Sequence, residues 1–298
     1  MCGIVGLFLK DKALEPRLGA MLTDMLVTMT DRGPDSAGIA IYGAAKGDSA
    51  KLTVQSAQAD ADFATLGDDL SARLGAPVTL KRKDTHAVLT LPQAQVTDAR
   101  AALADLRPGL SVMSDGAAIE IYKEVGLPRD VAQRFDISAM RGTHGVGHTR
   151  MATESAVTTQ GAHPFSTGAD QCLVHNGSLS NHNNWRRRLR HEGIRIDSMN
   201  DTEVGAAYLT WKMQNGASLG DALKAALDDL DGFFTFVVGT KAGFGVVRDP
   251  IACKPAVMAE TDQYVAFGSE YRALVGLPGI DTARVWEPEP ATVYFWSH

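Results

Sequence analysis

The chain has 298 residues, 45% of them hydrophobic, with 29 basic against 35 acidic side chains and a formal net charge of -6. That length and apolar content allow one large domain or two modest ones around a real core, and the acidic balance argues against a nucleic-acid partner. No apolar run approaches the ~18 residues needed to span a bilayer, so no membrane segment is expected. Three cysteines, Cys2, Cys172 and Cys253, are too few and too odd in number for a disulfide framework. The N-terminus lacks the basic region of a signal peptide, and a reduced, cytoplasmic setting is the economical reading.

In chain order, Cys2 to Leu9 is a short apolar run suited to a buried strand. Pro16 to Thr30 reads as a helix, with Leu18, Met21, Leu22, Met25 and Met29 at helical spacing. Asp31-Arg32-Gly33-Pro34-Asp35 is a turn by composition, and Ala37 to Tyr42 a second strand. From about Ala44 to Met140 the texture changes. Phe63, Leu66, Leu70 and Leu74 form a helical stripe, Thr85 to Leu91 reads as a strand, Val96 to Leu106 as a helix and Leu110 to Met113 as a strand. Helix, strand, helix, strand suffices for a small α/β subdomain, whose buried face would include Val88, Leu91, Leu103 and Leu106. Gly145 to Arg150 and Gln171 to His175 read as strands ending in turns. Helices follow at Asn183 to Glu192, Asp201 to Met213 and Leu219 to Leu230. The C-terminal quarter is strand-rich: Phe233 to Gly239, Phe244 to Arg248, Ala256 to Ala259, Tyr264 to Gly268 and Thr292 to Trp296. Strands at both ends with helices between them indicate layered α+β packing.

A cysteine at position 2 has a bland reading as a small core residue. Removal of Met1 would instead give Cys2 a free α-amine, titrating at about 7.7–8.0 beside a thiol at about 8.5. Such an amine is a matched general base for its own thiol. Four further pieces fit a nucleophilic site. His148-Thr149-Arg150 ends a strand with a guanidinium able to grip a carboxylate bidentately. His175-Asn176-Gly177 sets an amide side chain beside an unhindered glycine N–H, the donors that a tetrahedral oxyanion needs. Asn200-Asp201-Thr202-Glu203 opens a helix with carboxylates, one to cap it and one to receive an ammonium group. Arg32-Gly33-Pro34-Asp35 is a rigid charged turn close in sequence to Cys2.

Taken in order, MCGIVG, RGPDSAG, GHTRMAT, HPF, VHNGSLSN and NDTE resemble the class II glutamine amidotransferases, which are N-terminal-nucleophile hydrolases. RDP at Arg248 to Pro250 and FGSEYRAL at Phe267 to Leu274 carry the likeness almost to the end, and only Ala44 to about Ser114 lacks a counterpart. The resemblance implies a four-layer αββα sandwich over 1–298, with an inserted α/β subdomain at 44–114. It implies Cys2 as nucleophile, Asn176 and Gly177 as oxyanion hole, Arg150 on the glutamine α-carboxylate, Asp201 on its α-ammonium, and Thr153 and His163 lining the pocket. Met151 and Glu154 depart from the family, where tryptophan and histidine are frequent.

The activity implied is hydrolysis of glutamine through a cysteine thioester, with no metal or organic cofactor. Ammonia would pass to a synthase on another polypeptide, as in glutamate-synthase-like complexes, N-methylglutamate synthase being the most similar in layout. Two other readings are an N-terminal-cysteine acyl-amide hydrolase and a non-catalytic structural subunit. Arg150 with Asp201 speaks against the first, an intact Cys2 with Asn176-Gly177 against the second. His144 and His148 are not expected to be a metal pair, because glycines between them prevent a shared helix face. Arg186, Arg187, Arg188, Arg190 and Arg195 are expected on a solvated helix face, with a docking patch as the alternative.

Overall fold

The computed structural model describes residues 2–45, 47–152 and 156–298. The chain opens with β1 (Gly3–Leu9), followed by α1 (Leu18–Val27), shorter than its sequence stripe because 3₁₀ turns at Lys12–Arg17 and Thr30–Arg32 flank it. Next come β2 (Ser36–Tyr42), β3 (Ser49–Gln55), α2 (Ala59–Phe63), α3 (Leu66–Leu74), β4 (Thr79–Lys83), β5 (His86–Pro92), α4 (Val96–Leu106) and β6 (Ser111–Gly116). The middle of the chain holds β7 (Ile119–Val125), α5 (Pro128–Arg134), β8 (His144–Arg150), β9 (Gln171–Leu179), α6 (His182–His191), α7 (Asp201–Gln214) and α8 (Leu219–Asp229). Six strands end it: β10 (Gly232–Thr240), β11 (Gly243–Arg248), β12 (Val257–Glu260), β13 (Tyr264–Gly268), β14 (Arg284–Trp286) and β15 (Val293–Ser297).

Pairing is antiparallel throughout. One sheet runs β14-β12-β13-β1-β8-β2-β7 and a second runs β15-β11-β10-β9. Period-2 alternation in β1 explains the layering. Ile4 and Phe8 join an apolar cluster with Val174, Val237, Phe244 and Val246 of the second sheet, so the two sheets pack face to face. Val5, Leu7 and Leu9 point the other way, onto Leu18, Leu22, Met25 and Leu26 of α1. The outer face of the second sheet (Leu173, Phe234, Phe236) packs on α6, α7 and α8 through Trp185, Tyr208 and Leu223. The result is the α+β sandwich of four layers, helices outside and sheets inside.

Strands β4-β5-β3-β6 form a third sheet, with its own cluster of Leu52, Val54, Phe63, Leu66, Leu70, Leu89, Leu91 and Leu103. The sequence reading missed β3 and β4. The exposed, charge-rich TLKRK of β4 carries no apolar signal, and β3 follows a loop that sets no clear start. Leu91, Leu103 and the flanking Leu106 face this cluster as expected, but Val88 does not: it packs with Tyr122 and Phe135 in the cluster beneath the large sheet. His86 likewise meets Phe135 edge-on at 4.7 Å. Two further elements from the stretch of altered texture, β7 and α5, belong to the large sheet and its helical cover. The third sheet extends to Gly116, and Tyr42 of β2 pairs directly with Ile119 of β7, so residues 43–118 leave and return at one hairpin position.

Candidate active site

Because β1 lies between β13 and β8, its first residues meet the ends of both neighbours: Gly3 pairs with Thr149, and Val5 with Gly268. Cys2 sits just before this strand and faces a cavity of about 630 Å³. Arg150, His163, Asn176, Gly177 and Asp201 line the same cavity, together with Met151, Gln160, Ser198 and Met199. Of the residues singled out from sequence, Thr153 and Glu154 lie outside the described residues. Cys2, Arg150, Met151, His163, Asn176, Gly177 and Asp201 converge here although they span 200 residues of chain.

The backbone of Cys2 is held by two donors on its carbonyl oxygen, Arg32 Nε at 3.0 Å and Asn176 Nδ2 at 3.1 Å. Arg32 is anchored in turn by Glu270 at 2.6 Å, and its guanidinium keeps the Glu270 carboxyl below the usual carboxylate range. Ser269 Oγ accepts from Ile4 N at 2.9 Å and from Asn176 Nδ2 at 3.3 Å, linking the first strand to the amide of β9. The thiol of Cys2 donates to the carbonyl of Met151, with sulfur and oxygen 3.8 Å apart. The turn at Arg32–Asp35 is therefore part of the site. Gly33 lies so near the end of β8 that a Cβ would stand 2.5 Å from the Thr149 carbonyl carbon, and Asp35 Oδ2 accepts from Ala152 N at 2.8 Å.

Asn176 and Gly177 stand on β9, opposite Thr235 and Phe234 of β10. Gly177 has φ +142°, and a Cβ there would lie 1.9 Å from the Phe233 carbonyl oxygen, so only glycine fits. Asp201 begins α7, yet the helix is capped by Asn200, whose Oδ1 accepts from Thr202 N at 2.9 Å. A carboxylate cap was expected. Glu203 instead folds back onto the preceding loop, accepting from Asp197 N at 2.9 Å and Ser198 N at 2.6 Å. Asp201 Oδ2 accepts from Leu179 N at 2.9 Å, and its side chain keeps 23% exposure toward the cavity.

Behind these groups lies a stack of neutral histidines. His163 and His148 stack at 4.0 Å, and Thr202 Oγ1 bridges His163 Nε2 (2.7 Å) and His175 Nδ1 (3.0 Å). Burial pushes His148 down to about 3, His163 well below the ordinary imidazole range, and His175 downward as well. Neutral rings buried in this way support the wall by packing and hydrogen bonding. His144 is engaged elsewhere, stacked on Tyr42 at 4.2 Å with Nε2 on the Thr240 carbonyl, and no cluster of metal-ligating side chains occurs among the described residues.

Within the basic cluster Arg187, Arg188, Arg190 and Arg195 are exposed as expected, and Arg186 departs from the solvated face. Arg186 is 4% exposed, and its guanidinium donates to the carbonyls of Ser198, Met199 (2.9 Å) and Asn200 (3.4 Å). Arg190 holds the Ile196 carbonyl at 2.7 Å, and Arg188 stacks over Trp185 and Trp211. A buried guanidinium is tolerated because each charge-assisted bond contributes about 1.5–3 kcal/mol. Sequence spacing could not show this, since the carbonyls belong to an irregular loop.

A glutamine amidotransferase domain pattern matches residues 148–276. The glutamine amidotransferase-like protein GlxB of Rhizobium meliloti is 70% identical over 100% of this chain and 99% of its own length. The chain belongs to the class II glutamine amidotransferases. A second relative of this amidotransferase, from Methanothermobacter thermautotrophicus and named for the same activity, is 33% identical over 98% of both chains. Among solved structures, the glutamine phosphoribosylpyrophosphate amidotransferase of B. subtilis shares the fold, with a TM-score of 0.63 at 19% identity over 99% of this chain. The amidotransferase chain spans about half of that larger enzyme, 47% of it. No helix among the described residues is long and apolar enough to cross a membrane.

Proposed function

We propose that the chain is a glutaminase subunit in which Cys2, exposed by removal of Met1, hydrolyses glutamine and hands ammonia to a synthase on another polypeptide. The observation that carries this reading is the convergence on one cavity of a cysteine nucleophile, an Asn–Gly donor pair and two opposite charges, Arg150 and Asp201. An amino acid's α-carboxylate and α-ammonium match that charge pair, whereas an apolar acyl amide would not require such a clamp. His163 completes the pocket wall in this reading.

The α-amine of Cys2 accepts the thiol proton, and the thiolate attacks the glutamine side-chain carbonyl carbon. The oxyanion is received by Asn176 Nδ2 and the Gly177 N–H; of the two bonds Asn176 makes at rest, the 3.3 Å contact to Ser269 is the one a substrate oxygen can replace. Collapse expels ammonia, protonated by the same amine, and leaves a γ-glutamyl thioester. Water, deprotonated by that amine, hydrolyses the thioester to glutamate.

The acceptor enzyme is a glutamate-synthase-like partner, N-methylglutamate synthase being the nearest in layout, and the unit at 44–114 is an inserted subdomain that contacts it. No described residue of that segment lines the cavity, which supports a role outside hydrolysis. Three free cysteines among the described residues fit a cytoplasmic protein. A glutaminase assay paired with intact-mass measurement tests the whole: active protein should begin at Cys2 and release glutamate from glutamine. Full activity in protein that uniformly retains Met1 would overturn the free-amine mechanism.

A further inference from the structure

A second cavity, of about 430 Å³, lies behind the first and shares two wall residues with it, Gln160 and Ser198. Into it project Lys123 of β7 and Glu203 of α7, both buried. Lys123 Nζ donates to the carbonyls of Ala162 at 2.7 Å and Pro164 at 3.1 Å, stands 3.5 Å from that of Gln160, and lies 4.3 Å over the Phe165 ring. Those carbonyls belong to the segment that carries Gln160, Gly161 and His163 into the glutamine cavity. Glu203 grips the facing loop by the amides of Asp197 and Ser198. The two loops that wall the cavity are thus tied from behind by buried charges, Lys123 on one and Glu203 with Arg186 on the other.

We infer that Lys123 is a positioning residue for glutamine: its ammonium gathers the 160–164 carbonyls and so sets His163 and Gly161 against Arg150, at the α-carboxylate end of the substrate. A Cβ on Gly161 would lie 3.5 Å from Arg150 Nη1, so a shift of this segment is felt directly at that guanidinium. Lys123 touches neither Cys2 nor Asn176, so its effect falls on substrate affinity and spares the chemical step. The inference rests on the reading of the cavity as a glutamine site.

The ammonium is also a proton switch. Burial lowers Lys123 to about 7, with Glu203 of α7 acting in the opposite sense. The other charged or titratable groups around it are His163, held neutral, His86 of β5, likewise neutral at about 3, and Arg100, Arg195 and Asp197 on the walls of the second cavity. Below pH about 7 the ammonium is present and the carbonyls are held. Above it the neutral amine has one hydrogen fewer and no charge, so affinity for glutamine falls as pH rises through that value.

The test is the glutamine dissociation constant, measured calorimetrically in Cys2→Ala protein so that no turnover intervenes. Adding Lys123→Met should weaken binding about tenfold, and in the active protein it should raise KM by the same factor while kcat stays within about threefold. Unchanged affinity in folded Lys123→Met protein would overturn the inference. Should that variant not fold, affinity of the Cys2→Ala protein between pH 6 and 8 decides. It should weaken with a midpoint near 7, and Glu203→Gln should move the midpoint lower. A flat profile, or a midpoint that stays put in Glu203→Gln, would overturn it equally. No glutamine binding by Cys2→Ala protein at any pH would instead strike the glutamine reading itself, and the inference with it.

Discussion

The two ends of the main cavity are built differently. At the Cys2 end the parts are borne by strands: Cys2 leads into β1 and Asn176 and Gly177 stand on β9, so sheet ladders fix their spacing. At the other end Arg150 and Asp201 are the last residue of β8 and the first of α7, but the walls beside them are the irregular segments 156–163 and 197–200, held through their carbonyls and amides by the buried side chains of Lys123, Arg186 and Glu203. Ladder-bound groups resist displacement, as groups that must meet a transition state should. Loops tied by a few charged groups can adapt to the part of the substrate that does not react. Under the proposed function the contrast makes chemistry and recognition separable, and substitutions at the two ends should leave different kinetic signatures.

The sharpest separation is expected at the nucleophile. Cys2→Ala should abolish glutamine hydrolysis while the melting temperature changes little, and an ammonium salt should still feed a partner synthase. Cys172→Ala and Cys253→Ala should keep most activity. Glutamine-dependent turnover surviving in Cys2→Ala would break the comparison at its root. Next, Asn176→Ala should lower kcat by on the order of 10²–10³ with little change in KM, since its contact strengthens only in the transition state. A rise in KM alone would move Asn176 to the recognition end.

Arg150→Ala and Asp201→Ala should show the converse. Loss of a desolvated charge contact costs about 2–5 kcal/mol, so kcat/KM should fall roughly 30-fold or more, chiefly through KM. An equal fall in kcat, with KM steady, would erase the distinction between the two ends. The smallest effect is expected from the third sheet. Because Tyr42 pairs with Ile119, a short turn can replace residues 44–117, and glutaminase activity should stay within a few-fold. The melting temperature should drop, because Val88 and His86 no longer cover Phe135. Under the proposed partner role the shortened protein should no longer co-purify with a synthase; unchanged complex formation would leave the insertion a decoration that surface loops tolerate at small entropic cost.

The strand-borne end was the more legible from sequence, for a physical reason. Groups borne by sheets sit at fixed points of short motifs, so the cavity positions of Cys2, Asn176 and Gly177 could be read from MCGIVG and VHNGSL, and apolar periodicity gave β1, α1, β9 and β10 their types. What sequence missed acts through backbone carbonyls or across long separations. Ser269 and Glu270 were seen as a motif, but their bonds to Ile4 and Arg32 follow only once β13 lies beside β1. Arg186 looked like a surface charge because its partners are main-chain oxygens, which any residue supplies. β3, β4 and β7 escaped because exposed or mixed strands give weak alternation, and pairing decides them.

The seating of β1 between β8 and β13 also has a consequence in time. Its partners end at Arg150 and Gly268, and the carbonyl of Cys2 waits for Asn176 and for an arginine anchored by Glu270. At ribosomal rates of ~5–20 residues per second, the start of the chain is therefore without one neighbouring strand for on the order of 10–50 s of synthesis. Throughout that interval the start of the chain remains open to an aminopeptidase, and the residues proposed as oxyanion donors and clamp have yet to meet the thiol. Under the proposed mechanism, a nucleophile translated first and enclosed last would be trimmed before it is armed, and a nascent or truncated chain would not spill ammonia from the cell's glutamine.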